Sequence, residues 1–331
     1  MHHWRSITVT NKVLVSFIVL SVSTLLLSQS VSAQMEKAII GYPSRSYNIL
    51  VLHVAEVKGF FRDEKLDPVI VQIGGGTGIT AALSGDLHYY WNFTAPVVGV
   101  LNQGLPVKII AVFNTLLHQV VARPEIKSAV DLHGKKFGVT RIQGPDHLQA
   151  IGILQAKGAD PKNIQFVNFA GGDPARVLVL RKGLVDAIAV SPPNPYTLQK
   201  EGYTVIGGPR DLKIPNLASA LSATDQRLKQ RPDHIKKVLR ALMRGLQFVH
   251  QNRDDTTKIM MRWLNESQEI ASASYDTLLP ELSRDGTFSD TEIQHSIEGI
   301  KMAISSTKSI SLSQIRDFTI LHQVQKELGV R

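Results

Sequence analysis

A pattern of glycines occurs twice at almost the same spacing, and it constrains this chain more than any other feature. Gly41, Gly59, Gly74 and Gly85 punctuate the first half, and Gly138, Gly158, Gly171 and Gly183 repeat the punctuation about a hundred residues later. Around each copy the sequence reads strand, loop, helix, strand, double glycine, helix, strand. The first copy predicts strands at 37–42, 69–73 and 87–91, and the second at 136–139, 164–168 and 187–190. Two similar open α/β lobes follow. In open parallel sheets, ligands gather beyond the carboxyl ends of the strands, so two such lobes facing each other form a cleft suited to small-molecule capture.

The punctuation also orders the rest. Residues 47–58 place Leu50, Val51 and Val54 on one helical face, with Ser46 positioned to cap the helix and Gly59 to stop it. Thr77 is positioned to cap a helix at 79–84, and Pro96 falls early in one at 95–102, ahead of a strand at 107–112. The extended segment 116–122 reads as a first crossing between lobes. Helices at 146–157, 174–182 and 194–201 belong to the second lobe, and a turn-rich stretch at 209–215 leads to a strand at 218–222 that returns to the first. Two crossings predict a hinge. From Thr224 onward the pattern is helical: Ile235, Val238, Leu239, Leu242, Leu246 and Val249 make one apolar stripe, with more helices at 254–264, 268–279, 290–305 and 313–328. These helices are expected to buttress lobe one and to contribute no chemistry. The expected division is therefore 34–116 for the first part of lobe one, 117–215 for lobe two, and 216–331 for the completion of lobe one with the C-terminal helices.

At the start, Arg5 and Lys12 precede an uncharged run at 13–27, followed by the small residues Val31 and Ala33. The run is short for a membrane span and lacks a basic stop-transfer flank, so residues 1–33 read as a secretory signal peptide, with an uncleaved anchor as the alternative. Removing 33 of the 331 residues leaves 298, a length that suits two lobes better than one small core. The chain has no cysteine, which excludes disulfides, thiolate metal sites, cysteine nucleophiles and a lipidated lipoprotein cysteine. A soluble periplasmic product is the expectation. Lys and Arg exceed Asp and Glu by 9 over the whole chain, but they are scattered, so no nucleic-acid partner is expected. The excess favours encounter with small anions.

Gly76-Thr77-Gly78-Ile79-Thr80-Ala81 matches a weak dinucleotide pattern, yet no acidic residue lies about 20 positions on to take a ribose hydroxyl. The same turn, opening a helix, offers backbone N–H donors to a carboxylate, sulfonate or phosphate. No Walker-type lysine follows a glycine loop, the histidines form no metal-binding pair, and Ser44 and Ser191 lack the glycines of a nucleophile elbow. No metal, cofactor or catalytic residue is expected. A hydrolase or transferase whose triad is not contiguous in sequence stays open as an alternative from another class.

Several segments look familiar in order. Gly41-Tyr42-Pro43-Ser44, Ala55-Glu56-Val57-Lys58-Gly59-Phe60-Phe61, Gly74-Gly75-Gly76-Thr77 and Ala82-Leu83-Ser84-Gly85-Asp86 resemble the nitrate/taurine/sulfonate (NitT/TauT) family of ABC-transporter substrate-binding proteins. In the second half, Asp131-Leu132-His133-Gly134-Lys135-Lys136-Phe137-Gly138-Val139, Gly171-Gly172-Asp173-Pro174-Ala175-Arg176 and Ser191-Pro192-Pro193 continue the likeness. The resemblance implies a type II periplasmic binding protein of the α/β class, a monomer that captures a small organic anion and hands it to an inner-membrane ABC permease. By position it implies a cleft lined by Ser44, Arg45, Ser46, Tyr47, Gly76, Thr77, Asn92, Phe93, Thr94, Arg141, Gln143, Gly144, Gly172, Asp173, Ser191 and Pro192. Arg45 and Tyr47 depart from the small residues the family places in that loop. A second branch of the fold contains pyrimidine-precursor proteins, including a cysteine-rich, iron-dependent enzyme of thiamine biosynthesis. The lack of cysteine and the secretion signal oppose its enzymatic form, while a receptor for a pyrimidine or other heteroaromatic stays open: Tyr47, Trp91 and Phe93 could stack on a ring, or Trp91 and Phe93 could fill the core.

Overall fold

Ten strands fall into two five-stranded sheets of matching order in the computed structural model, which describes residues 35–330. The signal segment expected at 1–33 lies outside the described residues. The first sheet runs β2 (Leu66–Gln72), β1 (Glu36–Tyr42), β3 (Tyr89–Trp91), β10 (Leu217–Thr224), β4 (Val107–Thr115). The second runs β7 (Gln165–Asn168), β6 (Lys136–Val139), β8 (Ala187–Val190), β5 (Gln119–Ala122), β9 (Thr204–Gly207). In each order the second and third strands pair in parallel, through Ile40↔Tyr89 in one sheet and Gly138↔Ile188 in the other. In each, the fourth strand runs antiparallel and arrives from the opposite lobe, β10 beside β3 and β5 beside β8.

That exchange makes the crossings shorter than the sequence implies. Residues 119–122 are already a strand of the second sheet, so the first crossing reduces to Leu116, Leu117 and His118. The Leu116 N–H donates to the Asn216 carbonyl at 2.7 Å, which ties the two crossings side by side. The lobes also touch away from the crossings. Helix Gln268–Leu278 of the first lobe packs on helix Asn194–Lys200 of the second, where Lys200 meets Glu269 at 2.6 Å, Arg210 donates to the Asp276 carbonyl at 2.8 Å, and Tyr196 bonds Thr277.

The first lobe's core explains the order of its C-terminal helices. Ile235, Val238, Leu239, Leu242, Leu246 and Val249 on helix Pro232–Gln251 are all buried, each contributing roughly 1.5–3 kcal/mol relative to exposure. This stripe packs on helix Leu50–Val57, and the approach is close enough that a Cβ at Gly245 would stand 2.9 Å from the Val51 carbonyl oxygen. The expected last helix is two, Leu312–Ile315 and Thr319–Leu328, separated where Arg316 is extended and Asp317 bonds the Ile109 carbonyl. Strand β9 has no counterpart in the sequence reading, because its Thr-Val-Ile-Gly run is short and half-exposed.

Candidate functional site

A cleft of about 1360 Å³ opens between the two sheets, lined from both lobes and from the first crossing. Four helices start at its walls: Gly75–Ser84 and Thr94–Gln103 from the first lobe, Pro145–Ala156 and Gly172–Arg181 from the second. The first-turn N–H groups of a helix lack intrahelical partners and carry the positive end of the dipole, so what occupies those turns decides what the cleft accepts.

In the first lobe no acidic residue occupies either turn. Gly74 is the N-cap of helix Gly75–Ser84 and offers no side chain, and a Cβ built at Gly74 or Gly76 would meet nothing within 4 Å. Two residues on, a Cβ at Gly78 would lie 2.3 Å from the Tyr90 ring, so glycine here lets the helix seat against β3. At the second helix Asn92 Oδ1 accepts from the Ala95 N–H at 2.6 Å. Arg45 is exposed at the rim; its guanidinium donates to the Trp263 carbonyl and lies 6.0 Å from the Trp263 ring centroid. Glu266 also lines the cleft, and burial raises its carboxyl above the usual carboxylate range. The C-terminal helical region thus contributes Leu264 and Glu266 to the site, a correction to its expected role as buttress alone.

The second lobe is wired differently. Asp146 and Asp173 are the second residues of their helices, and Arg176 lies buried between them with 1% of its surface exposed. Its guanidinium pairs with Asp173, stands 3.3 Å from Asp146 Oδ2, donates to Thr140 Oγ1, and donates through Nε to the Ala189 carbonyl at 2.8 Å. The carboxylates are further held by backbone: Asp146 Oδ2 accepts from Thr140 N at 2.6 Å, and Asp173 Oδ2 from Ser191 N at 2.9 Å. Gly171 and Gly172, with φ of 109° and 71°, give the left-handed turn that brings Asp173 to Ser191. Arg176 is thereby consumed inside the wall. Arg141 is exposed and makes no ion pair among the described residues.

Of the residues expected by position, Ser44, Arg45, Ser46, Gly76, Asn92, Thr94, Arg141, Gly144, Gly172, Asp173, Ser191 and Pro192 line the cleft. Tyr47, Thr77, Phe93 and Gln143 do not. Tyr47 and Phe93 are buried in the first lobe's core, so neither ring is available for stacking on a ligand. Trp91 borders the cleft but is 1% exposed, stacked on Phe113 at 4.5 Å with its Nε1 donating to the Asn48 carbonyl. Thr77 lies inside the first turn rather than capping it, the cap being Gly74, and Ser46 Oγ likewise makes no cap bond and has no hydrogen-bond partner among the described residues. Gln143 is exposed on the turn before helix Pro145–Ala156, with φ of 63°. His118, Asn48 and Glu266 also border the cleft and were not expected there. His118 could have been found, since the short first crossing is obliged to pass the cleft floor.

Two sheets of one strand order, each receiving its antiparallel strand from the other lobe across a shared cleft, define the periplasmic binding protein fold. The NMT1/THI5-like family profile matches residues 46–256, and the chain belongs to that family. No curated protein matches it by sequence. Among solved structures, the periplasmic aliphatic sulphonate binding protein SsuA of Escherichia coli is similar at 16% identity, with 85% of this chain and 92% of that one covered and a TM-score of 0.68. The alkanesulfonate-binding protein SsuA of Xanthomonas axonopodis pv. citri bound to MOPS gives 12% identity, 88% and 99% coverage and a TM-score of 0.66. The desulfurization enzyme DszB gives 15% identity, 88% and 99% coverage and a TM-score of 0.66. The fold is therefore shared by receptors and by an enzyme. No helix among the described residues is long and apolar enough to cross a membrane.

Proposed function

We propose that the protein is the solute-binding component of an ABC importer, located in the periplasm, that captures a small organic anion between its lobes and delivers it to an inner-membrane permease. The observation that carries this reading is the helix opening at Gly75–Ser84: it faces a cleft with no acidic residue in its first turn, a glycine cap, open space at Gly76 and Arg45 lining the same cleft. Backbone donors, a dipole and a guanidinium suit a sulfonate or carboxylate. The second lobe closes over the remainder of the ligand by bending at the paired crossings, and contacts to both lobes favour the closed state. The protein acts as a receptor rather than an enzyme. His118 is the one imidazole among the lining residues and bonds no hydroxyl, so no serine–histidine pair is set up there.

The test is calorimetric titration with a panel of small sulfonates and carboxylates, followed by mass-spectrometric recovery of each ligand. The expected result is stoichiometric binding of at least one acid, its recovery unchanged, and a smaller radius of gyration by scattering when it is bound. Turnover of a bound acid would make the protein an enzyme, and failure of every acid to bind would remove the anion reading.

A further inference from the structure

Among the described residues the ring of His118 makes no hydrogen bond, although it sits on the floor of a polar cleft. It belongs to the first crossing, lines the cleft and is 9% exposed. Its Nδ1 has no hydrogen-bond partner, and its Nε2 stands 3.9 Å from Asp173 Oδ1, too far for a hydrogen bond. Buried polar side chains in folded proteins are almost always satisfied, and an exception at a ligand cleft points to the ligand as the missing partner.

The surroundings say what kind of partner fits. Asp146, Asp173 and Arg176 all act on the ring, and two carboxylates against one guanidinium leave the local field negative. Burial holds the imidazole neutral, its pKa pushed below the ordinary histidine value with Asp173 opposing in part. Across the whole cleft the charges balance: Arg45, Arg141 and Arg176 are matched by Asp146, Asp173 and Glu266. A site for a bare anion would be expected to carry an excess of cations. A site with a cationic rim and an acceptor-rich floor complements a ligand with an acid at one end and a hydrogen-bond donor at the other.

We propose that His118 and Asp173 form a subsite for a donor on the ligand, so that the preferred ligand carries an amine, hydroxyl or ring N–H besides its acid group and plain alkanesulfonates are disfavoured. This rests on the reading of the site as a receptor for organic acids. Discrimination arises because a ligand lacking the donor leaves the buried imidazole unsatisfied on closure.

Three sulfonates of similar size separate the possibilities: 2-aminoethanesulfonate, 2-hydroxyethanesulfonate and 1-propanesulfonate, titrated into the parent and into His118→Leu and His118→Asn. In the parent, at least one donor-bearing sulfonate should bind about tenfold or more tightly than 1-propanesulfonate, as expected for one satisfied buried polar contact. His118→Leu should bring that ratio close to unity, and His118→Asn should restore part of it. A ratio near unity in the parent overturns the subsite, as does an equal loss for all three sulfonates in His118→Leu, which would mark the ring as structural. Binding of none of the three to the parent would instead remove the organic-acid reading on which the subsite depends.

Discussion

The two lobes share a strand order, and the helices that open at the cleft start in the same way, yet the second residue of those helices differs. In the first lobe it is Gly76 or Ala95; in the second it is Asp146 or Asp173. An acid at that position occupies the positive end of its own helix, and here each one also holds Arg176. The second lobe thus sets its own carboxylates at the positive ends of its helices, whereas helix Gly75–Ser84 keeps its first turn free of carboxylate. The same scaffold therefore gives one wall whose helix starts carry no acid and another whose helix starts each carry one.

The difference between the lobes is largest at Arg176. Replacing it with Met leaves Asp146 and Asp173 in the wall without their cation, and removing one partner of a buried ionic network costs about 3–5 kcal/mol. Arg45→Ala, at an exposed rim position, should change stability by less than about 0.5 kcal/mol. Parallel urea melts check both, and equal small effects would mean that the second lobe is not internally satisfied. A sharper version transplants the difference. Gly76→Asp gives the first lobe the acid that the second already has, in a position where a Cβ meets nothing within 4 Å. It should leave the melting temperature unchanged or slightly raised, while anion affinity falls tenfold or more, about 1.4 kcal/mol, through like-charge repulsion. Retained affinity in that variant would place the acid group elsewhere.

A smaller effect distinguishes the lobes by pH. His88 in the first lobe has its pKa lowered from 6.5 to about 4, chiefly by burial and then by the charge of Arg227, while burial also lowers His118 and His147 in the second. The unfolded chain binds these protons more readily than the folded one, so stability present above pH 6.5 is lost as the pH falls from 6.5 towards 4. Melting temperatures across that window should decline, and His88→Gln should flatten part of the slope. An unchanged slope would assign the dependence to the second lobe's histidines.

Much of this architecture is written in local pattern. The glycine punctuation, the apolar stripe from Ile235 to Val249 and the helix starts near Pro145 and Gly172 are visible because each depends on residues close in sequence. What local pattern does not carry is exchange between lobes. Residues 119–122 look like a connector and are a strand of the second sheet, because their partners Ala187–Val190 lie far along the chain. The site divides on the same line. Gly76, Asn92, Asp173 and Ser191 follow strands and open helices, so topology delivers them to the cleft. Tyr47 and Phe93 sit in equally suitable loops but turn into the core, a choice made by packing against the first lobe's apolar residues. Glu266 enters from a distant helical region that carries no sequence mark of a site.

On the proposed reading, the acid group is bound by the first lobe. Calorimetric titration of one binding sulfonate into the parent, Arg45→Ala and Arg141→Ala tests it most directly, because both guanidinium groups line the cleft from opposite lobes and neither is spent on an ion pair among the described residues. A charge-assisted hydrogen bond of roughly 1.5–3 kcal/mol predicts a loss of about ten- to a hundredfold for Arg45→Ala and a clearly smaller loss for Arg141→Ala. Unchanged affinity in Arg45→Ala together with a large loss in Arg141→Ala would put the acid group on the second lobe instead.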